Sequence, residues 1–256
     1  MLRFRDRTTD APHRGGVVQN DFLATLCPAD FEHLRPFLQP VELKRHAIIH
    51  EANKPVDAVY FVESGIVSRV ARTQADGAVE VAVVGRSGLV GLSVILGTNI
   101  ALHRTVVQIP GSALRIPAAD LQAIMAKNPT IRDHLLRYVQ LLMNQKAQVA
   151  LCNAKHEIDK RVARWLLLAH DRVAGNQLPV THDLLAMMLG VRRAGISEAL
   201  AELEDKGVIS KARGALRIVS REALKAQACE CYKIIDDRFS WQRAMTHYEH
   251  RLQPDS

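Results

Sequence analysis

Aromatic residues are scarce in this chain, at 5% of 256 positions, and no stretch approaches the roughly eighteen uninterrupted apolar residues of a membrane-spanning helix. The four cysteines, Cys27, Cys152, Cys229 and Cys231, are too few for the disulfide framework of a small secreted domain. The opening segment, MLRFRDRTTDAPHRGG, carries arginines but lacks the apolar core of a secretory signal. A protein of the reducing cytoplasm, with no membrane span, is the expectation. Nucleophile-elbow, P-loop and zinc-protease motifs are also missing, so no catalytic residue is expected. Neither charge sign dominates: the net charge is +7 with a pI of about 9.4, which is compatible with nucleic-acid binding without requiring it. At 48% hydrophobic and 24% charged, the chain has the composition of a globular protein with room for two modest domains.

The most informative stretch is THDLLAMMLGVRRAGISEALAELEDK, residues 181–206. Leu184, Leu185, Met188 and Leu189 form one short helical run, and Ile196, Leu200 and Leu203 form a second beyond Gly190. Thr181 and Asp183 supply the oxygen cap and first-turn acid of the first helix. The second helix opens with Arg192 and Arg193, at the end that enters the DNA major groove in a helix-turn-helix unit, where arginine can donate two bonds to guanine. Ser197 and Glu198 follow on its first turns. An ordinary helical hairpin has the same local pattern, so the next segment matters.

Past Gly207, the runs VISK and LRIV flank Arg213-Gly214-Ala215 and read as a two-stranded hairpin. Lys206, Lys211, Arg213, Arg217 and Arg221 are cations, with no acid among residues 206–221. A basic wing of this kind tracks phosphates and positions a protein without reading sequence. Residues 157–222 carry only +2 overall, because Glu198, Glu202, Glu204 and Asp205 offset the arginines. The positive charge must therefore act locally.

In length, central glycine and apolar pattern, THDLLAMMLGVRRAGISEALAELEDKGVIS resembles the DNA-binding signature of the CRP/FNR superfamily of bacterial transcription regulators. The resemblance runs from about Phe22 to Ala223. It implies an α+β chain: an N-terminal cyclic-nucleotide-binding-like β-roll (jelly roll) over 21–118, a helical connector and dimerisation helix over 119–156, and a winged helix-turn-helix over 157–223. A polar, mobile arm over 1–20 and a helical tail over 224–256 complete the chain. Many family members begin the recognition helix with Arg-Glu and place an Arg four residues after the Glu. Here those positions hold Arg193, Ala194 and Glu198, so an altered half-site is expected.

The residues upstream support the roll independently. After two short helices around Phe22 and Phe31, divided by Pro28, the period shifts toward two. Candidate strands lie near residues 41–43, 47–50, 58–62, 66–70, 79–84, 105–109 and 113–116, separated by turn residues such as Glu63-Ser64-Gly65 and Ala75-Asp76-Gly77. VYFVESGIVSRV resembles the strand–glycine turn–strand of cyclic-nucleotide-binding domains. GRSGLVGL, residues 85–92, lies where that family keeps its phosphate-binding cassette, which makes Gly88, Gly91, Leu92, Ser93, Arg104 and Thr105 the candidate effector-binding residues. Nucleotide-binding relatives carry Glu after the cassette glycine, whereas this chain has Leu92. Cyclic AMP is therefore not expected as a ligand, and no cofactor is. A retained glycine scaffold and a working site both remain open.

Pro129 starts a long helix on which Leu135, Tyr138, Leu142, Gln145, Val149 and Cys152 recur at spacings of three and four. This seam is the expected dimer interface, with a single amphipathic core helix as the alternative. Two-fold symmetry would then predict a palindromic operator in double-stranded DNA, and the family resemblance adds RNA polymerase as a partner. Residues 157–173 form an amphipathic helix with Val162, Trp165, Leu166 and Ala169 as its core face, and Ser220 caps a tail helix running from Arg221 to about Tyr248. On one continuous helix Cys229 and Cys231 point about 200° apart and do not share an ion, so no metal site is expected. His46 and His50 have no third ligand nearby in sequence. Two further readings are a cupin-like metal-dependent enzyme fused to a DNA-binding module, and a ligand-binding regulatory module without DNA targets. The first needs a His-X-His and Glu constellation that is absent, and the wing and paired arginines disfavour the second.

Overall fold

The computed structural model describes residues 18–73, 77–173, 175–212 and 214–236. Helices α1 (Asp21–Ala24) and α2 (Pro28–Leu34) and a 3-10 turn lead into the roll. Its strands are β1 (Gln39–Leu43), β2 (Ile48–His50), β3 (Ala58–Val62), β4 (Ile66–Thr73), β5 (Gly77–Val84), β6 (Leu89–Val90), β7 (Arg104–Ile109) and β8 (Gly111–Pro117), with the short helix α3 (Leu92–Ile95) after β6. Two four-stranded antiparallel sheets, ordered β1-β8-β3-β6 and β2-β7-β4-β5, enclose Leu43, Val62, Val67, Val84, Val90, Val107 and Ala113. Branched residues suit such a pleated, enclosed surface. Gly65, at φ +82°, makes the β3–β4 turn, where a Cβ would lie 2.5 Å from the Ile109 carbonyl oxygen, so only glycine fits. The expected strands form, and β6 is added.

Asn20, assigned above to the mobile arm, is instead fully buried. Its side-chain amide donates to the carbonyls of Val62, Arg86 and Gly88 at 2.7–2.9 Å, and its oxygen caps α1 by accepting from Leu23 N–H. The rest of the expected arm, apart from Val18 and Gln19, lies outside the described residues.

Helix α4 (Ala118–Lys127) leads into α5 (Pro129–Lys155), which lies against its own roll. The Tyr138 hydroxyl accepts from Leu89 N–H at 3.0 Å, and its ring meets Phe22 edge-on at 5.4 Å. This corrects part of the expected dimer seam. Leu135, Tyr138 and Cys152 are buried within the chain, Leu142 and Val149 pack against the same intrachain cores, and Gln145 is half-buried. The exposed stripe is offset by a residue or two: Leu136, Gln140, Met143, Ala147, Ala150 and Ala154, with Leu151 beside it. These residues also alternate at spacings of four and three.

The C-terminal module contains α6 (Ile158–His170), β9 (Gln177–Leu178), α7 (His182–Leu189), α8 (Arg193–Asp205), β10 (Ile209–Ala212), β11 (Ala215–Ile218), α9 (Arg221–Gln227) and α10 (Cys231–Ile235). Val162 through Ala169 are all buried, because α6 packs against α8, α9 and α10 while the roll residues Ile66 and Ile109 join its core. The tail corrects the sequence reading. Extended backbone at Ala228 ends the first helix and α10 begins three residues later, so Cys229 and Cys231 do not share one continuous helix. Positions beyond 236 lie outside the described residues. Among the described residues, no helix is long and apolar enough to cross a membrane.

Candidate nucleic-acid interface

The turn between α7 and α8 is set by Gly190 in the left-handed region, φ +63°, which lets its N–H close back onto Ala186. Thr181 caps α7 by accepting from Leu184 N–H at 3.2 Å. Packing by Ile196, Ala199, Leu200 and Leu203 turns the opposite face of α8 outward, leaving Arg192, Arg193, Ala194 and Glu198 exposed. Arg193 Nε donates to Asp183 at 2.9 Å, which holds the guanidinium beside the start of α7. Ser197 is half-buried and hydrogen-bonded to His182 Nδ1 at 2.9 Å, so it braces the two helices. His182 escaped the sequence reading because nothing in a linear pattern pairs it with a serine fifteen positions on.

In the wing, β10 and β11 pair antiparallel, and β9 adds a third strand through Leu178 and Leu216. Lys211 is exposed, yet it is tethered to the recognition helix: its ammonium meets Glu204 at 2.5 Å and its N–H donates to the same carboxylate at 3.1 Å. These bonds from Lys211 hold the Glu204 carboxyl below its usual range. Arg217 is exposed, and Arg213 lies outside the described residues. Arg221 is not a wing cation. It pairs with Asp171 at 2.8 Å and donates to the Tyr232 hydroxyl at 2.8 Å, fastening α9 and α10 to α6.

The candidate effector residues divide. Gly91, Leu92, Ser93 and Thr105 line a cavity of about 430 Å³ between the roll and α5. Arg104 does not, because its guanidinium points outward to Glu51 in a two-bond pair at 2.9 and 3.1 Å. Gly88 lies beneath the Tyr138 hydroxyl, where a Cβ would come within 2.6 Å of the oxygen. Val56, Leu92, Leu96, Ile100 and Leu102 make much of the lining apolar, while Arg69, His103 and Lys146 bring cationic or titratable groups to it. Among the described residues, Arg69 Nε and Ser93 Oγ are buried with no hydrogen-bond partner. Burial lowers the Arg69 and His103 pKa values. Neither residue was singled out from sequence: Arg69 reads as one polar position in an alternating strand. His46 is exposed and His50 is buried, bonded to the Ala58 carbonyl, so the two share no site.

A Crp-like helix-turn-helix domain model matches residues 160–227, and a cyclic nucleotide-binding domain model matches residues 40–128. The chain belongs to the CRP/FNR superfamily of transcription regulators. Solved members of the CRP/FNR superfamily share its fold. A CRP-family transcriptional regulator from Thermus thermophilus is 17% identical over 73% of this chain and 96% of its own, with a TM-score of 0.62. FixK2 from Bradyrhizobium japonicum is 17% identical over 75% and 98%, with a TM-score of 0.64. The c-di-GMP-responsive regulator CLP from Xanthomonas campestris is 17% identical over 75% and 99%, with a TM-score of 0.58. The comparison with curated proteins found no match. Within the CRP/FNR frame, the two matched segments are the roll with its cavity and the winged module, and α5 joins them.

Proposed function

We propose that this CRP/FNR regulator is a cytoplasmic homodimer that reads a palindromic operator in double-stranded DNA and acts on RNA polymerase, with no catalytic step of its own. The outward face of α8 carries the proposal: Arg192, Arg193, Ala194 and Glu198 are exposed together at its N-terminal end, while Lys211 of the wing meets Glu204 at its other end. Arginine at the helix start supplies donors for guanine, and Glu198 supplies an acceptor for cytosine, a combination that favours a half-site different from the usual family one. Dimerisation is supported by the stripe on α5, where Leu136, Met143 and Leu151 are 41%, 67% and 49% exposed. Large apolar side chains at coiled-coil spacing are covered by pairing with a second copy. A two-fold axis along α5 would set two recognition helices about one DNA turn, roughly 34–36 Å, apart, as a palindromic operator requires.

The cavity suits an apolar ligand with an anionic end better than cyclic AMP, since leucine stands in place of the ribose acceptor and Arg104 is engaged by Glu51. Selection of bound sequences from random DNA by the full-length protein tests the proposal. An inverted repeat with its own half-site is expected, and recovery of no enriched motif, or of an unpaired half-site, counts against it.

A further inference from the structure

Four metal-ligating side chains converge where the long helix ends. Cys152 and His156, four residues apart, come from the last turn of α5 and its cap, and so project from one face. Cys229, in the turn after α9, and Cys231, at the start of α10, approach from the segment beyond the wing. Their ligating atoms all lie within 4.8 Å of one another, and all three cysteines are buried. Cys152 Sγ is 3.6 Å from Cys229 Sγ, and Cys231 Sγ is 3.6 Å from His156 Nδ1. A tetrahedral zinc ion with bonds of about 2.3 Å to sulfur and about 2.0–2.1 Å to nitrogen has S···S edges of about 3.8 Å and S···N edges of about 3.6 Å. Both separations match such edges.

The surroundings complete the pattern. The other imidazole nitrogen, His156 Nε2, faces Glu230 Oε1 at 3.5 Å, the carboxylate that commonly orients a metal-bound histidine. Gln148 Nε2 donates to Cys231 Sγ at 3.1 Å. Three thiolates and a neutral imidazole around a divalent ion leave one negative charge, and buried Arg164 lies close enough to Cys152 to act on it electrostatically. The four ligands are too close together to reach different irons of a polynuclear cluster. A Cys152–Cys229 disulfide would leave Cys231, His156 and the Glu230 contact without a role.

We propose that Cys152, His156, Cys229 and Cys231 form a mononuclear zinc site that ties the segment after the wing to the end of α5. His156 caps α5 and α6 begins two residues later, so the ion would fix the corner at which the DNA-binding module leaves the long helix. This inference stands apart from the operator reading, and its test does not use DNA.

Full-length protein without an affinity tag, purified in reductant, is expected to contain about one zinc per chain by elemental analysis. Replacement of the zinc by cobalt is expected to give the intense visible bands of a tetrahedral thiolate site, which reports the ligand set without any substitution. Cys229→Ser and Cys231→Ser should each lose the ion under chelator competition, and Cys27→Ser should retain it. Glu230→Gln, which removes only the orienting carboxylate, should weaken zinc binding roughly 10–100-fold. Absence of zinc with no uptake on titration, a Cys152–Cys229 disulfide that persists through purification in reductant, or the absorption of an iron–sulfur cluster would each overturn the assignment.

Discussion

Trp165, on the first helix of the DNA-binding module, donates its indole N–H to Glu80 of the roll at 3.4 Å. The Ser68 hydroxyl donates to the other carboxylate oxygen. Desolvation raises the Glu80 pKa to about 7, although the bonds from Ser68 and Trp165 and the nearby charges of Lys146 and Arg172 oppose it. An acid whose folded-state pKa exceeds its unfolded one holds more protons when folded, so stability is full below about 4.5 and is lost as pH rises through about 7. Urea unfolding between pH 5 and 8 should show a loss of about 1–3 kcal/mol that Glu80→Gln removes. An unchanged pH profile in that variant would show that another group titrates.

Arg193→Ala should lower discrimination between operator and random duplex by roughly 1–3 kcal/mol, the value of a bidentate base contact. Lys211→Ala should weaken all duplexes alike and reduce the salt slope by about one unit. Binding titrations at several salt concentrations separate the two effects. Retained preference in Arg193→Ala would show that α8 does not read bases through that side chain.

On α5, two neighbouring leucines should respond oppositely. Leu135 is fully buried within the chain, and Leu135→Ala should cost about 2–5 kcal/mol of unfolding stability without creating monomers under native conditions. Leu136 is exposed, and Leu136→Asp combined with Met143→Asp should shift the protein to monomer in sedimentation while each chain stays folded. An unshifted dimer would place the interface elsewhere.

Cyclic AMP should bind at least tenfold more weakly than to a pocket with a ribose acceptor, since an unpaired buried hydroxyl costs about 1–3 kcal/mol. Calorimetry with cyclic AMP and cyclic GMP checks this. A saturable micromolar heat, lost in Arg69→Ala or in Arg104→Ala, would contradict it.

Much of the architecture was legible in the chain because its signals are local. Gly190 at φ +63°, the Thr181 cap and the alternating strands of the roll depend on residues a few positions apart, and each element forms where its pattern predicts. Pairing across distance was not legible. The buried and exposed seams of α5 differ by only a residue or two in register and both satisfy heptad spacing, so only packing against the roll, through Tyr138 and Leu89, selects which one faces inward.

The sequence by itself determined the family, the helix-turn-helix and the wing, since helical and strand periods, caps and glycine turns are properties of short segments. Tertiary structure alone decided the partners of the charged and ligating side chains. Arg104 and Arg221 have the chemistry of phosphate clamps, but Glu51 and Asp171 engage them, and no spacing rule links those positions. The same holds for the cysteines: a break at Ala228 brings Cys229 and Cys231 to Cys152 and His156, more than seventy residues away in the chain, because side-chain proximity follows from how helices pack and not from where they begin.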